Sequence, residues 1–212
     1  MTTTRTPASV IRRYDPHRRD RIIDACLDVI AEVGVVGTSH RRVAEAADVP
    51  LGSMTYHFSG MHELLHEAFD RFAHTVSDQF ERRMAGADDE PAAKAALAQS
   101  IIGDIFSDQR DMVLTHELYT AAARDPSFRD ITNAWMGRSR RVLEQHFDPV
   151  TARILDALIE GLTIHRALDI GPQDDRIVDD AIARVVTAAD PSDWRVPATD
   201  VRMTPTEPGD TQ

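Results

Sequence analysis

Apolar residues recur at helical spacing through most of the chain. The first run, Ile22, Cys26, Val29, Ile30 and Val33, predicts a helix over 18–33 that Gly34 and Gly37 end. After it, Thr38 or Ser39 is placed to cap a second helix whose Val43, Ala44 and Ala47 share one face. Asp48-Val49-Pro50 breaks that helix, because proline lacks the amide a helix interior needs and Asp48 tolerates a tight turn. A third helix follows at once over 51–58. Its Gly52, Ser53, Thr55, Tyr56 and His57 are small or hydrogen-bonding, which suits a surface pressed against phosphates and base edges. Two short helices joined by a three-residue turn are the plan of a helix-turn-helix, which places its second helix in the DNA major groove. Ser39, His40 and Arg41, at the start of the second helix, join the candidate contacts to double-stranded DNA.

Further helices are predicted over 62–84, 91–106, 111–124, 127–147, 149–169 and 174–189. They are punctuated by Gly86-Ala87-Asp88-Asp89, Asp125-Pro126, Asp148-Pro149 and Ile170-Gly171-Pro172. No segment alternates like a strand. The expected fold is all-α with about nine helices: an arm over 1–17, a three-helix DNA-binding domain over 18–61, a helical ligand-binding and dimerisation domain over 62–189, and a disordered tail over 190–212. Pro191, Pro197, Pro205 and Pro208 mark that tail.

The stretch VAEAADVPLGSMTYHFSGMHELL, residues 43–65, resembles the DNA-binding segment of the tetracycline-repressor (TetR) family of bacterial transcription regulators. The likeness covers about 18–72; beyond it only size and helical character agree. It implies a homodimer on a palindromic operator, with the two C-terminal helices paired against their counterparts as a four-helix bundle. It also implies a small-molecule effector whose binding shifts the fourth helix and respaces the recognition helices. Three positions depart from the family pattern. Met61, followed by His62, stands where a lysine or arginine usually holds a phosphate; Asp48 replaces a turn glycine; and Thr55 replaces a large aromatic.

Charge is divided unevenly. Residues 1–60 hold 8 basic against 7 acidic residues, whereas the remainder holds 16 against 28, for a net charge of −11 and a pI of about 5.2. DNA contact is therefore confined to the N-terminal part. Arg5, Arg12, Arg13, Arg18 and Arg19 fall in or beside the arm, which reads either as a disordered tail or as a minor-groove reader. Neither a membrane-spanning apolar run nor a signal-peptide pattern is present, so a cytoplasmic protein is expected. Cys26 is the only cysteine, which excludes an intrachain disulfide and suits a core position.

Aromatic and polarisable residues in the larger part are candidates to line an effector pocket: Phe69, Phe72 and Phe80, then Met112, His116 and Tyr119, then Trp135, Met136 and His165. They favour a small apolar or aromatic effector, with His116, Tyr119 and His165 as polar handles. Leu155, Leu158, Ile159 and Leu162, with Ile182, Val185 and Val186, form two apolar stripes that suit a dimer interface or simply a core. His62-Glu63-Leu64-Leu65-His66 matches the two-histidine, one-glutamate spacing of zinc enzymes, which leaves a metal-responsive regulator or zinc enzyme as an alternative reading; a dimerisation module without DNA binding is another. No third ligand stands out by spacing, and neither a phosphate loop nor a nucleophile elbow occurs. No enzyme activity, cofactor or metal is expected.

Overall fold

The computed structural model describes residues 15–104 and 109–187; most of the expected arm, Phe106 and the tail lie outside them. Among the described residues there are nine α-helices and no strand. In chain order they are α1 (Arg18–Gly37), α2 (His40–Ala46), α3 (Gly52–His57), α4 (Met61–Met84), α5 (Glu90–Gln99), α6 (Gln109–Arg124), α7 (Pro126–Leu143), α8 (Pro149–Leu168) and α9 (Arg176–Thr187).

Aspartate and proline set several of the starts. Asp89, Asp125 and Asp148 each accept a hydrogen bond from a backbone amide of the following turn, and a proline fills the first or second helical position of α5, α7 and α8. These bonds favour the ionised form, so the Asp125 carboxyl lies below the usual carboxylate range, with the Ser127 amide leading.

Several helices end or begin differently from the sequence pattern. The helix expected over 91–106 stops at Gln99 and passes into a π-helical turn, Ser100–Asp104, where the Ser100 hydroxyl donates to the Ala96 carbonyl at 2.9 Å. α7 ends at Leu143, because the amides of His146 and Phe147 both turn back to the Leu143 carbonyl at 3.0 Å and fold Phe147 into the core. α9 starts at Arg176, whose amide donates to Asp174 Oδ1 at 3.1 Å. In α1, Gly34 breaks the helix with φ 70°, after which one further turn runs to Gly37. Val33 is 37% exposed at that break and leaves the apolar face to Ile22, Cys26, Val29 and Ile30.

Two apolar cores hold the helices. One joins α1, α2 and α3 to the first half of α4 and to α6 and α7, through Ile22, Ile30, Met54, Leu64, Phe69 and Leu118 among others. The other joins the end of α4 to α5, α8 and α9, through Phe80, Met84, Leu97, Leu155 and Ile182. The partition between cores therefore falls inside α4, near Val76. Cys26 is fully buried in the first core, and burial pushes its thiol up to about 12, which makes it an inert packing group.

Phe69 is fully buried, with its ring edge-on to Phe128 at 5.9 Å. Phe69→Ala should destabilise the fold by about 3–5 kcal/mol, the range for truncating a core aromatic. Urea unfolding followed by circular dichroism checks this, and a loss under 1 kcal/mol would contradict the packing assigned to it.

Candidate DNA-reading face and ligand pocket

The turn between α2 and α3 exists because Asp48 adopts φ 51°, a left-handed conformation that aspartate accepts at modest cost. Val49 then returns its amide to the Ala44 carbonyl at 2.9 Å. Buried Met54 and Phe58 anchor α3, and at about 100° per residue the opposite side presents Gly52, Thr55 and Tyr56. Tyr56 is 83% exposed and rests edge-on against His57 at 4.9 Å. A side chain at Gly52 would meet nothing within 4 Å, so that position is open for the approach of a large partner. Ser53, expected on this face, is instead buried. His57 sits half-buried at the edge.

Ser39 caps α2 by accepting the Arg42 amide at 3.4 Å, and Arg41 is exposed beside it. His40 is half-buried, and its Nε2 is enclosed with no partner among the described residues. Arg19, grouped by sequence with the arm, is used internally: it pairs with Glu67 and lies over the Phe58 ring at 5.1 Å from its centre. Met61 packs against the first core, so it cannot substitute for a phosphate-holding cation.

The HELLH segment is engaged in local structure. His62 Nε2 lies 3.0 Å from Asp125 Oδ2 and 3.1 Å from Ser127 Oγ, linking the start of α4 to the start of α7. Glu63 accepts the Ser59 amide at 2.7 Å, a capping arrangement, and His66 packs on Phe128. Among the described residues no group of three or more His, Cys, Asp or Glu side chains is placed to hold a metal ion.

A cavity lies between α4, α6, α7 and α8. Trp135 and Tyr119 form part of its wall with rings nearly parallel, 6.1 Å apart at 11°. Facing them on α8 are Asp156 and Glu160, one turn apart, while α6 adds Asp111 and Thr115 and α4 adds Arg83. Burial pushes the Asp156 carboxyl up to about 6, with Arg140 opposing and Glu160 reinforcing the shift. Burial, then the Glu160 charge, pushes the Tyr119 hydroxyl up as well. Thr115 is 1% exposed, and its hydroxyl has no hydrogen-bond partner among the described residues.

Of the pocket residues expected from sequence, Phe80, Tyr119, Trp135 and Met136 line this cavity. Phe69 belongs to the core; Phe72 is also buried and supports Trp135 edge-on at 6.0 Å. Met112 and His116 are half-buried outside the lining, with His116 Nδ1 at 2.7 Å from the Met112 carbonyl. His165 is exposed near the end of α8. The lining stripe of α6 is Asp111-Thr115-Tyr119, one residue out of phase with Met112-His116-Tyr119, because the cavity faces a side that aromatic content does not mark. The missed signal is the acid pair Asp156 and Glu160, one turn apart in α8.

The expected dimer stripes divide. Leu155, Ile159 and Ile182 are buried within the chain, whereas Leu158, Leu162, Val185 and Val186 are half-buried at the margin of the second core. Val150, Ile154, Leu168 and Ile177 are exposed. No helix among the described residues is long and apolar enough to cross a membrane.

Residues 22–68 match the model of bacterial regulatory proteins of the tetR family, and residues 88–188 match the tetracyclin repressor-like C-terminal domain. The chain is 53% identical to SCO7518 of Streptomyces coelicolor A3(2), with a TM-score of 0.77, over 81% of this chain and 99% of that one. It is 34% identical to the multidrug binding protein EbrR in complex with imidazole, with a TM-score of 0.69, over 87% and 99% of the two chains. EbrR has also been solved with proflavin, ethidium and malachite green. PksA of Bacillus subtilis (strain 168), a helix-turn-helix transcriptional regulator, is 28% identical over 80% of this chain and 86% of its own.

Because Tyr56 makes little contact with the fold, Tyr56→Ala should leave thermal stability unchanged while weakening binding to a selected DNA duplex by about 1–3 kcal/mol. A gel-shift titration with unchanged affinity would contradict the assignment of α3 as the reading helix.

Proposed function

Because this chain belongs to the tetR family of bacterial regulatory proteins, we propose that it is a dimeric repressor released from its operator by a flat aromatic cation. It is a helix-turn-helix DNA-binding regulator of transcription. The observation that carries the effector class is the pairing, across one cavity, of stacked Trp135 and Tyr119 with the carboxyls of Asp156 and Glu160. Aromatic faces and carboxylates both attract a cation, and a low-dielectric wall strengthens the attraction. With Asp111 paired to Arg110 at 3.5 Å, Asp156 and Glu160 against Arg83 leave the lining acidic. Proflavin and ethidium, bound by EbrR, are the natural probes. The orphan Thr115 hydroxyl supplies a hydrogen bond to a polar substituent.

The sign of the pH effect follows from Asp156. Its native pKa lies above the ordinary value of 3.8, so its protonated form favours folding at low pH and that contribution is lost as pH rises through about 6. At neutral pH the empty pocket thus holds an ill-solvated charge that a cation neutralises. In the dimer, Val150, Ile154, Leu158 and Leu162 of α8 meet their counterparts together with Val185 and Val186 of α9, burying apolar surface that a lone chain leaves in water. Pairing sets two α3 helices at the spacing of successive major grooves.

Proflavin should bind at pH 7.5, weaken up to about tenfold per pH unit below 6, and release the selected duplex. In Asp156→Asn the pH dependence should flatten and affinity at pH 7.5 should fall. Fluorescence titration from pH 5 to 8 and gel shifts with and without dye check this; parental affinity in Asp156→Asn at pH 7.5 would refute the cation reading.

A further inference from the structure

The break in α1 at Gly34 leaves a backbone amide that helix geometry no longer satisfies, and a side chain from α6 takes it. Gly34, at φ 70° and ψ 171°, turns the Val35 amide out of the helical ladder. Glu117 Oε2 accepts that amide at 3.0 Å across 82 residues of sequence. The fit is close: a Cβ added at Gly34 would stand 2.8 Å from Glu117 Oε1, so glycine is required both for the left-handed φ and for the approach of the carboxylate. The freed Gly34 carbonyl is taken by the Thr38 hydroxyl at 2.8 Å, which ties the break to the entry of α2.

Glu117 lies two positions from both Thr115 and Tyr119, about 200° round α6 from the residues that face the cavity. A second clasp stands at the other end of the helix. Arg110, beside the lining residue Asp111, pairs with Asp28 of α1 at 2.8 Å. Leu114 between the clasps and Leu118 just past Glu117 are fully buried in the core shared with α1. One face of α6 is thus pocket wall and the opposite edge is fastened to the helix against which α2 packs.

We infer that Glu117 is the positioning residue through which pocket occupancy reaches the DNA-reading helices, by holding the broken end of α1 in register with α6. The inference rests on the ligand-responsive reading above and adds a route through α6 and α1. A ligand that shifts α6 draws the carboxylate from the Val35 amide, and the entry of α2 loses its fixed position. Such coupling requires only that the ligand prefer the state in which this bond is strained.

The test uses full-length parent, Glu117→Ala and Glu117→Gln, a duplex selected from random DNA by the parent, and proflavin as probe. Glutamine keeps an acceptor oxygen for the Val35 amide, so it should behave as the parent. At saturating proflavin the parent should lose about 5- to 150-fold in duplex affinity, whereas Glu117→Ala should lose under about 3-fold while binding the dye nearly as well. Hydrogen exchange at the Val35 amide should be fast in Glu117→Ala, slow in Glu117→Gln and accelerated by proflavin in the parent. Release of Glu117→Ala as complete as that of the parent overturns the inference. If Glu117→Ala does not fold, unchanged Val35 exchange in the parent on dye binding overturns it. If the parent does not bind proflavin, the effector class fails separately, and Val35 protection equal in the parent and Glu117→Ala refutes the clasp.

Discussion

One helix carries two cores. The buried face of α4 runs from Leu64 through Phe69 and Phe72 to Phe80 and Met84, its first half packed with the DNA-reading helices and its second half with α5 and α8. Cores of this kind are close-packed, so a rigid helix shared by both cannot move at one end without disturbing the other. The cavity sits where the two cores meet, with Val76 and Phe80 of α4 in its wall. The packing of α4 thus joins the cavity wall to the core of the helix-turn-helix.

Polar contacts set the alignment of the helices round that seam. Arg71 of α4 pairs with Asp24 of α1 at 2.9 Å, and Arg138 of α7 grips Glu81 of α4 through Nε and a terminal nitrogen at 2.9 and 2.8 Å. These pairs are largely exposed, and individually such pairs contribute at most about 1 kcal/mol. Their value is directional, since a forked guanidinium holds a carboxylate in one orientation where apolar packing alone permits sliding. The Glu117 to Val35 bond is of a different kind, because it satisfies a backbone amide that has no alternative partner inside the helix.

The pocket departs from ordinary core chemistry in a way that stability does not explain. A carboxyl pushed up by burial and an enclosed threonine hydroxyl without a partner both cost free energy in the empty protein. Costs of this kind concentrate where a ligand repays them, and here both face one cavity. The recognition surface shows the converse economy: Gly52, Thr55 and Tyr56 contribute little to folding and are free to meet DNA.

The sequence alone determined the helical fold, the helix-turn-helix and its family resemblance, because these rest on local rules: apolar spacing, a proline after a tight turn, and aspartate ahead of proline at helix starts. It also placed Thr55 and Tyr56 outward and Val43, Ala44 and Ala47 inward. What it could not decide was which side of each helix meets a neighbour and which meets a void. Periodicity reports that Phe69 leaves water, or that Tyr119 lies on a stripe; it does not report where four helices fail to close. That gap selected Asp111 and Thr115 over Met112 and His116, and Asp156 and Glu160 over His165. The clasp between Gly34 and Glu117 was likewise invisible, since a glycine near a helix end reads as a stop, and only the packing of α6 on α1 supplies the carboxylate that its freed amide needs.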